Sequence, residues 1–413
     1  MIINPIDYWS PITNPEYGDE MLNEAKNLLY TSNGRMDVEN FVRSEYGGEY
    51  AKRVQARIRF ENCDPMCEEI LAWHRERGLK KDLYEEDGFY SRWSIFTPLS
   101  MYEEANKGKK YPLVFWCHGG GGTIDECEFQ PGYNEIAGKE GFMVAYLQNT
   151  NTDNVVRIID KIAELYPLDR ERVYISGFSQ GGGKSSDCAF RAPMHFTAFA
   201  PCGNDIYREL DRFSVKYTQE ETRQLTEAFL PFMQVVGCCE AANILPLNKW
   251  ERRKDWPDGV RIPRRRKRDE RYYTEVDPCR PSDPKNPGGR TYAPEGVDVY
   301  RWEVEQLNRR LDTLNIEHRD IERCVAYYHT PEDELHHVLG FYGDTEEIRY
   351  YYGYKHYVVN LWNRDGVNAF RYVAVENSGH FDHVMIGRLT WDFFKMFRRD
   401  SESGKIVVDE YRY

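Results

Sequence analysis

From about Phe89 onward, short uninterrupted apolar runs alternate with longer polar stretches of helical spacing. Tyr111-Pro-Leu-Val-Phe-Trp-Cys117, Phe142–Leu147 and Val173–Ile175 are apolar almost throughout. Runs of that kind are buried on both faces, as central strands of a parallel sheet are. Ser91–Leu99 instead alternates and meets Pro98, which predicts a half-exposed strand. Within Asp153–Leu165 and just beyond it, Val155, Val156, Ile159, Ile162, Ala163 and Tyr166 fall at helical spacing. Strand, helix and strand in succession predict an α/β sandwich. Further strands are expected at Phe196–Ala200, Pro231–Val236 and Phe370–Val375. A last helix is expected at Thr390–Arg398, with Trp391, Phe394 and Phe397 on one face.

The flanks read differently. Residues 1–88 are polar and mostly helical in pattern, as in Asp19–Leu29 and Met66–Arg77, and predict an N-terminal helical extension. Between Glu240 and about Tyr357 the rhythm breaks. Residues 250–298 are rich in Pro, Arg, Asp and Gly, and Val304–Leu314 then reads as a helix. Residues 241–355 are accordingly read as an insertion forming a lid or cleft wall, leaving 89–240 and 356–413 as the core.

Three segments carry candidate chemistry. Gly177-Phe178-Ser179-Gln180-Gly181 follows an apolar strand and precedes a helix-capable stretch. A serine on so sharp a strand-to-helix turn is held at the sheet's carboxyl edge, where the helix N-terminus stabilises developing negative charge. Ser179 is the candidate nucleophile. His118-Gly119-Gly120-Gly121-Gly122 follows the strand ending at Cys117. Its backbone N–H groups, at Gly119 and Gly120, can point at an oxyanion without side-chain obstruction, and the N–H of Gln180 is the expected second donor. In Val375–His383, His380 is the candidate base and His383 the second choice, since a base must reach the serine from the same sheet edge. The orienting acid is expected at Glu240, just past the Phe232–Val236 strand. Asp205 stands second and an acid from the insertion third.

Composition narrows the picture. The 413 residues are 41% hydrophobic and 30% charged, as in a folded domain rather than a disordered chain. With 55 basic and 68 acidic residues the net charge is −13, which disfavours nucleic acid and anionic membranes as partners. The basic run Arg264–Arg268 is followed by Asp269 and Glu270 and reads as a solvated loop. No run reaches the ~18 apolar residues of a spanning helix. Met1–Trp9 has neither a basic region nor an apolar core, so a cytoplasmic location is the expectation. The ten cysteines are scattered and read as reduced thiols, and Cys63-x3-Cys67 with His74 matches no common zinc spacing. Cys238 and Cys239 stand outside the serine turn and are not read as nucleophiles.

Tyr111–Gly120, Asp169–Gly182, Ser378-Gly-His380 and Trp391-Asp-Phe-Phe394 together resemble the α/β-hydrolase superfamily. Within it the segments are most similar to the branch of polyhydroxybutyrate depolymerases, feruloyl esterases and acetyl esterases. The resemblance spans about 90–240 and 357–400. It implies the α/β-hydrolase fold, a serine carboxylester hydrolase with a Ser-His-acid triad, a small-molecule or oligomeric ester substrate, and no metal or organic cofactor. Phenolic or carbohydrate esters are the substrates it suggests. Members of the branch carry Asp after the penultimate strand where this chain has Glu240, and the extension and insertion have no counterpart there. A serine peptidase of the same fold, or a binding protein without activity, are the alternatives.

Overall fold

The computed structural model describes residues 59–60, 63–204, 217–237, 299–329, 341–351, 354–375 and 385–413. These fall into two compact units. One draws on Ala56–Asn204, Tyr217–Met233 and Asp382–Tyr413, and the other on described residues between Gln234 and Val375.

The first unit begins with helix α1 (Glu68–Arg75) and strands β1 (Leu79–Tyr84), β2 (Trp93–Pro98), β3 (Tyr111–Cys117) and β4 (Met143–Leu147). Helix α2 (Thr152–Leu165), strand β5 (Leu168–Phe178), helix α3 (Gln180–Arg191), strand β6 (Ala198–Cys202) and helix α4 (Gln219–Ala228) follow. The strands lie in the order β1-β2-β4-β3-β5-β6. β1 pairs antiparallel with β2 and β2 with β4, whereas β3 runs parallel to both β4 and β5, and β5 parallel to β6. Every residue of β3 and β4 is buried, as their continuous apolar runs require. Helix α2 turns Val155, Ile158, Ile159 and Ile162 inward, each burial contributing about 1.5–3 kcal/mol.

Strand β7 (Phe232–Gly237) carries the chain into the second unit. There helices α5 (Val299–Asp312) and α6 (Ile321–His329) precede an antiparallel meander of β8 (Thr345–Tyr351), β9 (Tyr354–Trp362) and β10 (Asn368–Val375). Asn360 on β9 ties it together, its Oδ1 accepting from Asn368 Nδ2 at 2.9 Å and from Arg371 Nε at 2.8 Å. The chain then returns to the first unit as helix α7 (Ile386–Phe394) and the hairpin β11 (Phe397–Arg399) and β12 (Ile406–Val408). In α7, Trp391 stacks on Phe142 at 3.9 Å and Phe394 on Tyr174 at 5.0 Å. The buried Arg399 donates to the carbonyls of Phe196, Ala228 and Gly404, and burial brings its guanidinium down to about 10.

Several boundaries differ from expectation. The stretch read as a helical extension holds a strand, β1, whose Lys80, Lys81 and Asp82 disguise it. β2 was expected to be half exposed, yet all six residues are buried. Aromatic rings and α1 cover it, with Trp93 stacked on Tyr84 at 4.2 Å and Phe96 4.6 Å from the His74 ring. The core was expected to resume at 356, but β8 inside the presumed insertion is laddered to β9, so that boundary cuts a hairpin. The last helix starts at Ile386, not Thr390, and Phe397 belongs to β11. Asp19–Leu29 and all of 241–298 lie outside the described residues.

Lys81 points from β1 to the side opposite Lys80 and is buried. Its Nζ lies 2.7 Å from Glu128 Oε2 and donates to the Pro65 carbonyl at 2.8 Å. His74 of α1 sits 3.6 Å from the same carboxylate. Burial pushes the Glu128 carboxyl up, but Lys81 and His74 outweigh it and hold the group below the usual carboxylate range. Burial pushes the His74 imidazole down, and the Glu128 carboxylate only partly opposes this. Both shifts act in one direction. The unfolded chain takes up a proton at His74 near pH ~6.5 that the folded chain refuses, and Glu128 adds a second such loss below pH ~4.5. Thermal unfolding should therefore fall in temperature as pH drops from 7 through 6.5, and His74→Gln should flatten that limb. Glu128→Ala leaves Lys81 buried without its counter-charge and should destabilise by about 3–5 kcal/mol in urea unfolding at pH 7. A loss under about 1 kcal/mol, the range of exposed pairs, would mean that the Lys81–Glu128 pair does not fasten β1.

Candidate active site

Parallel pairing sets the carboxyl ends of three strands side by side, with Cys117 of β3 opposite Gly177 and Phe178 of β5 opposite Cys202 of β6. The chain leaves β5 at Phe178 and enters α3 at Gln180, so Ser179 alone makes the turn. Its backbone is at φ 56° and ψ −116°, a conformation costing about 1–3 kcal/mol for a residue with a side chain. Three bonds hold it there. The Ser179 N–H donates to the Cys202 carbonyl at 2.9 Å. Its own carbonyl accepts from the Gly183 N–H at 3.1 Å and from Asn204 Nδ2 at 2.5 Å.

The two flanking glycines supply room. A Cβ at Gly177 would stand 2.5 Å from the Gly181 carbonyl oxygen and 2.6 Å from that of Cys117. A Cβ at Gly181 would overlap the Cys117 carbonyl outright. The first turn of α3 can therefore seat on the end of β3 only without side chains. Gln180, as the first helical residue, has an N–H with no intrahelical acceptor, at the positive end of the helix dipole.

The glycine loop lies against this turn. A Cβ on Gly119 would be 3.8 Å from Ser179 Cβ, and one on Gly120 would be 3.7 Å from Gln180 Oε1. The loop closes through a Gly122 N–H to Gly119 carbonyl bond of 3.1 Å. His118 braces it, with Nδ1 2.8 Å from the Gly119 carbonyl and Nε2 3.1 Å from that of Gln148. A neutral ring donates to one of them at a time. The Gln148 amide donates to the Gly122 carbonyl at 3.3 Å, and its Oε1 accepts from the Ile124 N–H at 3.2 Å. Burial disfavours the thiolate form of two neighbouring cysteines. Burial pushes Cys117 well up and Cys188 to about 12.

Of the residues singled out in the sequence, Ser179, Gly119, Gly120 and Gln180 are brought together. His380, His383, Glu240, Asp205, Cys238 and Cys239 lie outside the described residues. Strands β7 and β10 end at Gly237 and Val375, shortly before Glu240 and His380 in the chain. Asn204 and Gln148 brace the turn and the glycine loop, and sequence reasoning missed them. Each stands just past the end of a buried strand, β6 or β4, which is the available signal, but a polar residue there reads as an ordinary loop.

A mixed sheet in this order, with a serine turn at left-handed φ between β5 and the following helix, is the α/β-hydrolase fold. No protein-family model matches the chain. It is 30% identical over 182 residues to a bifunctional acetylxylan esterase/xylanase of Neocallimastix patriciarum, a match covering 39% of this chain and 25% of that protein. The chain thus spans a quarter of the length of the relative it matches. Among solved structures it is similar to the acetyl xylan esterase from Aspergillus awamori, at 11% identity and a TM-score of 0.40, covering 76% of this chain and 98% of that one. It is also similar to the feruloyl esterase module from Clostridium thermocellum, at 15% identity and a TM-score of 0.31, covering 40% and 69%.

Close approach and backbone strain make different demands on the glycines. Gly181→Ala drives a Cβ into backbone and should destabilise by about 3 kcal/mol or more. Gly121 has φ 78° with open space around its Cβ position, so Gly121→Ala should cost only about 1–2 kcal/mol. Urea midpoints for the two variants check this, and equal losses would show that room at α3 is not the constraint.

Proposed function

We propose that the chain is a serine esterase acting on a carboxylic ester through an acyl-enzyme. The observation that carries this is Ser179 itself, held in a left-handed turn at the N-terminus of α3 with the glycine loop against it. The match to a bifunctional acetylxylan esterase/xylanase supports an ester of a carbohydrate, and phenolic acyl groups remain within the same reading.

In the first step Ser179 Oγ attacks the ester carbonyl carbon while its proton passes to His380. The carbonyl π-electrons move to the oxygen, which the N–H groups of Gln180 and of Gly119 or Gly120 receive. Collapse breaks the carbon–oxygen bond to the alcohol, which leaves with the proton from His380. Water then gives a proton to His380 and attacks the acyl-enzyme, and the acid departs as Ser179 recovers its proton. Glu240 orients the imidazole and stabilises its charged form. Ser179 needs no metal or organic cofactor for these steps. Residues 241–355 are proposed to shape substrate choice as a lid or cleft wall.

Labelling by a fluorophosphonate, followed by turnover of aryl acetate, acetylated xylan, methyl ferulate and a chromogenic peptide, tests the reading. Ser179→Ala should abolish labelling and lower kcat by about 10⁴–10⁶-fold with the fold intact. Glu240→Gln should lower kcat by about 10²–10⁴-fold with KM little changed. Peptide cleavage without ester cleavage would make the protein a peptidase. Undiminished activity in Ser179→Ala would remove the serine mechanism.

A further inference from the structure

Away from Ser179, the first unit has a cleft of about 380 Å³ between β1, the turn after β2 and the end of α2. That volume is at the lower end for small-ligand sites. Lys80, Asp82 and Tyr84 alternate along β1 and so share one face, opposite the buried Lys81. Tyr102 faces them from the turn, and Leu165 and Tyr166 from the helix end.

Their polar groups form a chain. Asp82 Oδ2 accepts from Lys80 Nζ at 2.8 Å and from the Tyr166 hydroxyl at 2.9 Å, and the Tyr84 and Tyr166 hydroxyls lie 2.7 Å apart. Burial, then the contacts with Tyr84 and Asp82, push the Tyr166 phenol up, so it stays a neutral donor. Tyr84 is fixed from behind by stacking on Trp93. The Tyr102 ring lies 5.3 Å from Lys80 Nζ. Tyr102 is 53% exposed and Leu165 54%, so a bare ring and a bare aliphatic chain stand beside a hydrogen-bonded polar chain.

We propose that this cleft binds one neutral sugar ring of an oligosaccharide, at a site separate from Ser179. A pyranose has an apolar C–H face that lies on an aromatic ring, and rim hydroxyls that both donate and accept. The cleft offers both partners, a ring and an aliphatic chain for the face and a carboxylate, an ammonium and two phenols for the rim. A flat aromatic ligand would cover those polar groups without replacing their bonds to water. A ligand carrying a carboxylate would meet Asp82 beside a Lys80 ammonium whose charge Asp82 already neutralises. The cleft opens at the surface, so a chain can continue beyond the bound ring.

Binding is independent of the acyl-transfer reading, and the test keeps the two apart. The full chain carrying Ser179→Ala is titrated calorimetrically with xylohexaose, cellohexaose and ferulate. At least one hexasaccharide should bind with Kd on the order of 1 mM or tighter. Tyr102→Ala and Asp82→Asn should each weaken it by about tenfold or more, while Tyr90→Ala, which alters an exposed ring outside the cleft, should not. Placed in the Ser179 background, the same two variants should leave kcat/KM for a soluble aryl acetate unchanged. Absence of hexasaccharide binding, affinity indifferent to both cleft variants, or preference for ferulate would each overturn the proposal.

Discussion

Two stretches of backbone pass in contact where the first turn of α3 crosses the end of β3, and the geometry around Ser179 follows from that approach. Because Gly177 and Gly181 carry no Cβ, the helix begins directly over the Cys117 carbonyl instead of a side chain's width away. The chain then has one residue in which to reverse, and Ser179 takes the left-handed conformation. The strain is met locally by the Cys202 carbonyl, the Gly183 N–H and the Asn204 amide. The same closeness brings Gly119 and Gly120 against Ser179 and Gln180, so one packing contact positions both the hydroxyl-bearing residue and its neighbouring donors.

Buried charge in the first unit is used for fastening. Lys81, Glu128 and His74 join α1 to the outermost strand, and Arg399 joins the C-terminal hairpin, whose own Gly404 carbonyl it also meets, to carbonyls on two other segments. Each group is desolvated and therefore tolerable only with its partners in place. On β1 the alternation of the strand divides labour, with Lys81 turned to the buried lock and Lys80 and Asp82 to the open cleft.

The strands at 111–117 and 143–147 were legible because burial on both faces leaves no polar position to confuse the pattern. The serine turn was legible for a related reason, since small residues around Ser179 are demanded by backbone contact. What escaped was structure whose polar residues are paired rather than solvated. The strand Leu79–Tyr84 reads as polar because Lys81 meets a buried carboxylate, and Thr345–Tyr351 stays hidden within the presumed insertion because its Glu346, Glu347 and Arg349 suit an outer strand. The helix start at Ile386 was missed because Gly387 argues against a helix, though a Cβ there would stand 2.6 Å from the Pro131 carbonyl. Asn204 and Gln148 could not be found from one chain, because hydrogen bonds to a loop's backbone leave no periodic trace.

The first unit is also discontinuous, and that has a consequence for how the chain reaches its native state. Tyr133 meets Thr390 across 257 positions, Tyr174 meets Phe397 across 223, and Tyr411 meets Gly141 across 270. During synthesis the strands around Ser179 are made long before the helix and hairpin that cover them, and the whole second unit intervenes. Such high contact order makes folding slow and leaves the Tyr133, Phe142 and Tyr174 surface open until residues 385–413 emerge. The chain should thus depend on chaperones in proportion to that delay, a demand set by connectivity rather than by the stability of the finished fold.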